Sequence, residues 1–330
     1  MQINLFAEET QLQRLSELGD SLEKLSVIDF ESFRPLLEKV NCKERKSKAG
    51  RPSYDVVMMF KILVLQRLFN LSDDQTEYQI TDRMSFQRFI GLSLGERVPD
   101  AKTIWLFKDT ITQKEIIEPL FNRFTTQLES QGIITHTGTI VDAPRQRNTR
   151  EENDKIKNGE TPKEWEKNPH KLAQKDTDAR WTKKNDETHY GYKNHVKVDA
   201  DSKIITDYAT TSANIHDSNE FSEFLGEDDK VVYADSAYVG KEIPNHVENR
   251  VCEKGYRGKP LTDEQKESNR RKSKIRCRIE HVFGFITVSM HGLTVRSIGI
   301  KRAEFNIGLT NLVYNFCRYT ILKRKEVYMG

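Results

Sequence analysis

The sequence predicts a mixed α/β (α+β) chain, with an all-helical first part and a mixed sheet after it. Three observations lead there. Residues 1–132 carry apolar residues at helical spacing, punctuated by cap and stop signals. From Ile133 onward short β-rich runs appear, and two of them, Thr139-Ile140-Val141 and Val231-Val232-Tyr233-Ala234, each end at a carboxylate, Asp142 and Asp235. Between these, two alternating runs from His195 to Ala209 flank Asp199-Ala200-Asp201-Ser202, which is a hairpin signal.

In the helical part, Leu12, Leu15, Leu18 and Leu22 mark one amphipathic segment. A basic turn at 43–52 leads into residues 54–70, which are apolar almost all round and so predict a buried helix. Ser72 with Gln75 three residues later has the form of a capping box and opens a helix through Asp82. Residues 84–90 follow, then 101–110 behind Val98-Pro99-Asp100, then 116–130 before Gly132. Short helices with tight turns suit either a helix-turn-helix or a bundle used for assembly.

The chain's 330 residues allow two domains with a substantial core. The formal charge is only +3, so any nucleic-acid footprint must come from local clustering. Cys42, Cys252, Cys277 and Cys317 lie far apart and form no C-x-x-C pair, which argues against a zinc knuckle or disulfide scaffold and for a reducing compartment. The first residues lack the basic and apolar regions of a signal peptide, and no stretch approaches the roughly 20 apolar residues that span a bilayer. A cytoplasmic location without membrane association is expected.

In the second part, residues 145–194 are highly charged, contain Trp165 and Trp181, and show little periodicity, so an insertion or long connection is expected there. Residues 217–225 suggest a helix before the Val231 strand. Strand, hairpin, helix, strand and later helices, in that order, are compatible with a ribonuclease-H-like mixed sheet.

In open α/β sheets ligands sit outside the carboxyl ends of strands, which aims Asp142 and Asp235 at chemistry. An Asp in such a place is also a common turn-former or helix cap. Glu280 lies in a run where Ile275, Ile279, Val282, Phe283 and Ile286 recur at helical spacing. Two strand-end aspartates and a helical glutamate are the makings of a two-metal phosphodiester site. Glu253, Glu264 and Glu267 also follow Asp235, but the polar run 261–268 has no apolar stripe to anchor a ligand. His216 and Asp217 read either as metal ligands or as a helix cap with its hydrogen-bonded neighbour; His189, Tyr192 and His195 either contact DNA or order a loop.

Between Tyr256 and Arg278 the chain carries Arg257, Lys259, Lys266, Arg270, Arg271, Lys272, Lys274, Arg276 and Arg278 against Asp263, Glu264 and Glu267. Such clustered cations neutralise phosphates and release counterions. Arg270, Arg271, Lys272, Lys274, Arg276 and Arg278, next to Glu280, are therefore the expected DNA-binding residues. An exposed basic helix face without a ligand is the plainer alternative.

Five motifs in one order, His189-Tyr-Gly-Tyr-Lys-Asn-His195, Thr211-Ser-Ala-Asn-Ile-His-Asp-Ser218, Tyr233-Ala-Asp-Ser-Ala-Tyr238, Arg278-Ile-Glu-His-Val-Phe-Gly284 and Arg302-Ala-Glu-Phe-Asn-Ile-Gly308, resemble a DDE transposase of a bacterial insertion sequence, of the insertion-sequence-five family. Leu71-Ser-Asp-Asp-Gln75, Ser85-Phe-Gln-Arg-Phe89 and Val98-Pro-Asp-Ala101 resemble the domain preceding the catalytic core there. The resemblance runs from about 50 to 320. It implies that Asp142, Asp235 and Glu280 are the catalytic acids and metal ligands, spaced 235 − 142 = 93 and 280 − 235 = 45 residues apart. The second gap leaves no room for a large all-β insertion. Arg276 or Arg278 and His281 would flank the metal and the scissile phosphate.

The implied cofactor is Mg²⁺ (or Mn²⁺), two ions roughly 3.5–4 Å apart, since hard oxygen ligands disfavour zinc. Implied partners are double-stranded DNA (terminal inverted repeats and target DNA) and a second copy in a homodimer, with a nucleoid-associated location. The expected domains are 1–132, for DNA-end binding or assembly, and 133–330, for catalysis. A catalytically inactive DNA-binding descendant and a plain metal-dependent nuclease are the rival readings. Only Ala143 separates Asp142 from Pro144, fewer residues than family members commonly carry, so a shortened strand or turn is expected beside the first acid.

Overall fold

The computed structural model describes residues 7–41, 53–93, 95–148, 163–184, 187–217, 219–292 and 294–329. The basic turn at 43–52 and residues 149–162 of the charged segment lie outside these. Two compact units are present, one of residues 1–123 with 316–330 and one of residues 124–315. The sequence-based boundary at 132/133 falls just past a helix end, whereas the boundary between the compact units falls inside that helix.

The first unit is helical. α1 (Ala7–Glu17) stops before Gly19 at φ 85°, and Asp20 then accepts from the Leu22 N–H to start a separate 3-10 turn, Ser21–Val27. The expected single amphipathic segment is thus broken: Leu22 is buried from the 3-10 turn while Leu18 is exposed. α2 (Arg34–Leu37) precedes α3 (Val56–Leu68), whose Asp55 cap accepts from Val57 and Met58, and which is buried nearly all round as its composition dictates. α4 (Asp73–Asp82) opens on a capping box with both the Ser72 and Gln75 bonds formed. α5 (Met84–Ile90) ends at Gly91, α6 (Ala101–Gln113) is capped by Asp100, and α7 (Ile117–Ser130) closes the series. Aromatic rings fill the core, with Phe33 5.4 Å from Phe60 and 5.8 Å from Phe316 between centroids.

The second unit is built on a sheet of eight strands among the described residues. In chain order its elements are β1 (Thr139–Asp142), β2 (Arg145–Asn148), α8 (Lys163–Glu166), α9 (Pro169–Leu172), β3 (Arg180–Lys184), β4 (Glu187–Asp199), β5 (Ile205–Ser212), β6 (Val231–Tyr233), β7 (Glu248–Asn249), α10 (Asp263–Arg276), α11 (Arg278–Gly284), β8 (Thr294–Val295) and α12 (Ile300–Met329), whose end belongs to the first unit. β4 runs antiparallel to β1 and β5, while β6 is parallel to β1 and β7 to β6. The order β5-β4-β1-β6-β7 with only β4 reversed is the ribonuclease-H-like arrangement.

Three expectations are corrected here. Residues 145–194 are not merely a connection: they supply β2, β3 and half of β4, held by a buried polar centre in which the Tyr192 hydroxyl donates to both Asp176 oxygens at 2.8 and 2.9 Å. No helix forms at 217–225 among the described residues; turns suffice to bury Phe221, Phe224 and Leu225 against Val232 and Tyr238. No turn follows Asp142. β1 and β2 pair with β4 in one unbroken register, Asp142 opposite Val196 and Arg145 opposite Lys193, and the Pro144 carbonyl accepts from the Asn194 N–H at 3.0 Å between them.

Candidate active site

The parallel pair β1–β6 sets Thr139 opposite Val232 and Ile140 opposite Tyr233, an offset of 232 − 139 = 93 residues. Continued two residues along, the same offset sets Asp142 opposite Asp235, since 235 − 142 = 93. Ile140, Val141, Val232 and Ala234 are buried and fix both strand ends, so the two aspartates stand on neighbouring strand ends whose backbones run about 4.8 Å apart. Asp142 accepts from its neighbour's Ala143 N–H at 2.8 Å, and Asp235 caps the 3-10 turn Ser236–Tyr238 by accepting from the Ala237 N–H.

Glu280 reaches the same place from the first turn of α11, where Ile279 and Val282 are fully buried and Ile286, in the π-helical turn Phe285–Ser289, is nearly so. Arg276, one turn earlier, lies 3.9 Å from Asp142 and 3.9 Å from Glu280. Burial raises the Asp142 carboxyl above the usual carboxylate range; the Ala143 N–H and the Arg276 guanidinium oppose that, and the charges of Glu280 and Asp235 add to it. The structure therefore brings Asp142, Asp235, Glu280 and Arg276 into one electrostatic group.

Carboxylate oxygens from two strand ends and a helix, with negative charge in excess over the single Arg276, fit a hard divalent cation such as Mg²⁺ or Mn²⁺ in chemistry. Among the described residues no three His, Cys, Asp or Glu side chains already stand as a cage. Arg276 sits between two of the acids as their counter-charge, and the Glu280 side chain, 60% exposed, has room to turn.

The basic strip divides by position. α10 is a helix without buried residues, opened by a capping box of Thr262 and Gln265 whose T-x-x-Q pattern was available in the sequence. Arg270, Arg271 and Lys274 are exposed on it. Arg271 also lines a cleft with Arg250, Lys272 and Ser268, and Arg250 is a cation outside the strip that sequence reasoning missed. Lys272 is tied inward, donating to the Val251 carbonyl at 3.0 Å beside Glu253 at 3.5 Å. Arg278 is held at the β4–β5 hairpin by the Ala200 carbonyl at 2.8 Å and Asp201 at 3.0 Å, by the opposite end of β1 from Asp142. Asp217 caps no helix; it pairs with Lys193 at 2.6 Å. His195 and Tyr192 are buried in the sheet, His195 bonded to Thr211 at 2.8 Å, and so order the interior rather than face a ligand.

Residues 133–316, more than half of the chain, match the family model described as the transposase DDE domain. The chain belongs to the DDE transposase family. Residues 10–110 of this DDE transposase match a second model, described as a transposase domain. Among solved structures, the cryo-EM structure of a piggyBac transposase synaptic complex with hairpin DNA aligns with 9% identity and a TM-score of 0.41, covering 90% of this chain and 73% of that one. Among the described residues of this DDE transposase no helix is long and apolar enough to cross a membrane.

Proposed function

We propose that the chain cuts the ends of an insertion sequence and joins them to target DNA by in-line phosphodiester transfer at Asp142, Asp235 and Glu280. The observation that carries this reading is the grouping of charges around Asp142: two register-matched strand ends, and a helical glutamate sharing one guanidinium with Asp142 at 3.9 Å. A pair of Mg²⁺ or Mn²⁺ ions bound there supplies activation of the attacking oxygen and charge neutralisation at the leaving one. The three carboxylates would hold the ions, and Asp142, half-buried and repelled by its neighbours, has the most to gain from a cation. Arg276 turns from the carboxylates to a DNA phosphate. Arg270, Arg271 and Lys274 on the open face of α10 follow the duplex backbone, independently of sequence. The helical first domain binds or assembles the terminal repeats, and two copies of the chain hold two ends for joining.

Incubation of the protein with end-containing DNA and Mg²⁺ tests this, with strand-transfer products expected. Cleavage without joining would identify a plain nuclease, and tight binding without cleavage a non-enzymatic DNA-binding protein.

A further inference from the structure

The phenol of Tyr238 is 2% exposed, and its hydroxyl has no hydrogen-bond partner among the described residues. Such an atom is rare, because a buried donor left unsatisfied costs free energy that folding must offset elsewhere. Its position is fixed tightly. Tyr238 closes the 3-10 turn that Asp235 caps, its N–H donating to the Asp235 carbonyl at 3.2 Å. Its ring packs against Phe221 at 4.8 Å between centroids, in the same apolar cluster as Val141 and Ala234, the residues that precede the two strand-end acids. The ring is thus wedged beneath the ends of β1 and β6 and cannot swing to solvent.

What surrounds the hydroxyl is negative. Burial first, and then the charges of Asp142, Asp217 and Asp235, push its ionisation far above the ordinary tyrosine range, so it remains a neutral O–H and a donor. Of the three, Asp217 already has Lys193 at 2.6 Å. Asp235 has one oxygen on the Ala237 N–H, and Asp142 is the acid whose charge bears most on the hydroxyl. Asp142 has one oxygen on the Ala143 N–H, and among the described residues its other oxygen meets only Arg276, at 3.9 Å. A fixed, buried orphan donor therefore lies by the strand end that carries a half-satisfied, 30% exposed carboxylate.

We propose that Tyr238 is a positioning residue, whose hydroxyl donates to the Asp142 carboxylate and fixes its orientation toward a bound divalent cation once Arg276 has turned away. This rests on the reading of Asp142 as a metal ligand given above. Hydrogen bonds from outer groups to ligating carboxylates commonly matter by about 10–100-fold in metal affinity.

The test is a Mn²⁺ titration of the full-length protein followed by thermal shift, with Tyr238→Phe, Asp142→Asn and Phe221→Leu beside wild type. Tyr238→Phe should keep or slightly raise the metal-free melting temperature, because it deletes an unsatisfied group and keeps the ring. Its Mn²⁺ midpoint should move up by about 10–100-fold. Phe221→Leu, which loosens the same ring stack and keeps the hydroxyl, should melt lower with a midpoint close to wild type. A wild-type midpoint in Tyr238→Phe, or equal midpoint shifts in Tyr238→Phe and Phe221→Leu, would overturn the proposal while leaving the site intact, provided Asp142→Asn abolishes the metal response. A full metal response in Asp142→Asn would instead overturn the reading of the site itself.

Discussion

The guanidinium of Arg276 lies 3.9 Å from the carboxylate of Asp142 and 3.9 Å from that of Glu280, so one cation serves two acids on different elements. Neither pair is tight, and Glu280 is mostly exposed, so the pairs contribute only about 0–1 kcal/mol each to stability. Their weight is electrostatic. Arg276→Gln should leave the fold intact, lower the melting temperature slightly without metal, and enlarge the stabilisation gained from Mg²⁺, because a competitor for the carboxylates is gone. Thermal shift against Mg²⁺ concentration measures this. An unchanged Mg²⁺ response would mean that Arg276 does not occupy the place of a cation.

Asp235→Asn and Glu280→Gln each remove a charge while barely altering volume. Both should abolish Mg²⁺-dependent cleavage of end-containing DNA and preserve binding in a gel-shift assay. Glu264→Gln and Glu267→Gln should cleave at close to the wild-type rate. Those side chains are exposed on α10, Glu267 nine residues before Arg276, and about 13 Å away at 1.5 Å per residue. Loss of activity in either, with Glu280→Gln still active, would move the third acid.

The strip on α10 separates by function into outward and inward cations. Substituting Gln for Arg270, Arg271 and Lys274 together should weaken binding to all duplexes alike and reduce the salt slope by about 0.9 for each phosphate no longer neutralised. Lys272→Gln should act differently, lowering stability by removing the bond to the Val251 carbonyl. A triple variant with an unchanged slope would make this face merely solvated.

His195 gives the fold a pH dependence. Burial holds its imidazole down to about 4, against an ordinary value of 6.5, so it stays neutral in the folded chain. The unfolded chain takes up the proton first as pH falls. The stability this group contributes is fully present above about 6.5 and is lost progressively between 6.5 and 4, up to roughly 3 kcal/mol. Denaturation midpoints at pH 7 and pH 5 should differ in wild type and differ less in His195→Gln. Equal pH slopes in the two would show that His195 titrates normally.

Much of this architecture is legible in the residues, and its gaps have physical causes. Apolar runs mark β1 and β6 because a strand buried on both faces needs apolar side chains throughout, and Ser72 with Gln75 announces α4 because the box is local. β2 reads as loop because Arg145 to Asn148 are polar throughout and their pairing is dictated by β4, distant in sequence; β3 reads as loop because Trp181 alone among Arg180 to Lys184 is apolar, although its partner strand begins three residues later at Glu187. Phe221, Phe224 and Leu225 imitate a helical stripe, yet an apolar i, i+3, i+4 pattern can also be satisfied by turns resting on a core. The adjacency of Asp142 and Asp235 follows from strand register, which no local pattern contains, and the burial of the Tyr238 hydroxyl follows from that adjacency.

The short segment after Asp142 supplies the last test. Ala143 and Pro144 are not a truncated turn; they carry one strand past the acid, with Asp142 opposite Val196, Pro144 accepting from Asn194 and Arg145 opposite Lys193. The two numbers in each pair add to the same total, 142 + 196 = 145 + 193 = 338, so the ladder has no bulge there. A proline is tolerated in it because the position uses the carbonyl and requires no N–H. Inserting four residues between Asp142 and Pro144 would force β2 either to loop out or to slip along β4. A loop leaves the register of both strands intact but removes the support on the far side of Asp142. A slip breaks the pairs of Arg145, Gln146 and Arg147 with β4 and carries β8 with them, through the pairing of Arg147 with Thr294. With several backbone hydrogen bonds at about 0.5–1.5 kcal/mol each in play, the slipped form should lose at least about 2 kcal/mol. The insertion should therefore lower the denaturation midpoint and reduce cleavage together. A protein that gains stability or activity from those four residues would show that the continuous strand is not the working form of this segment.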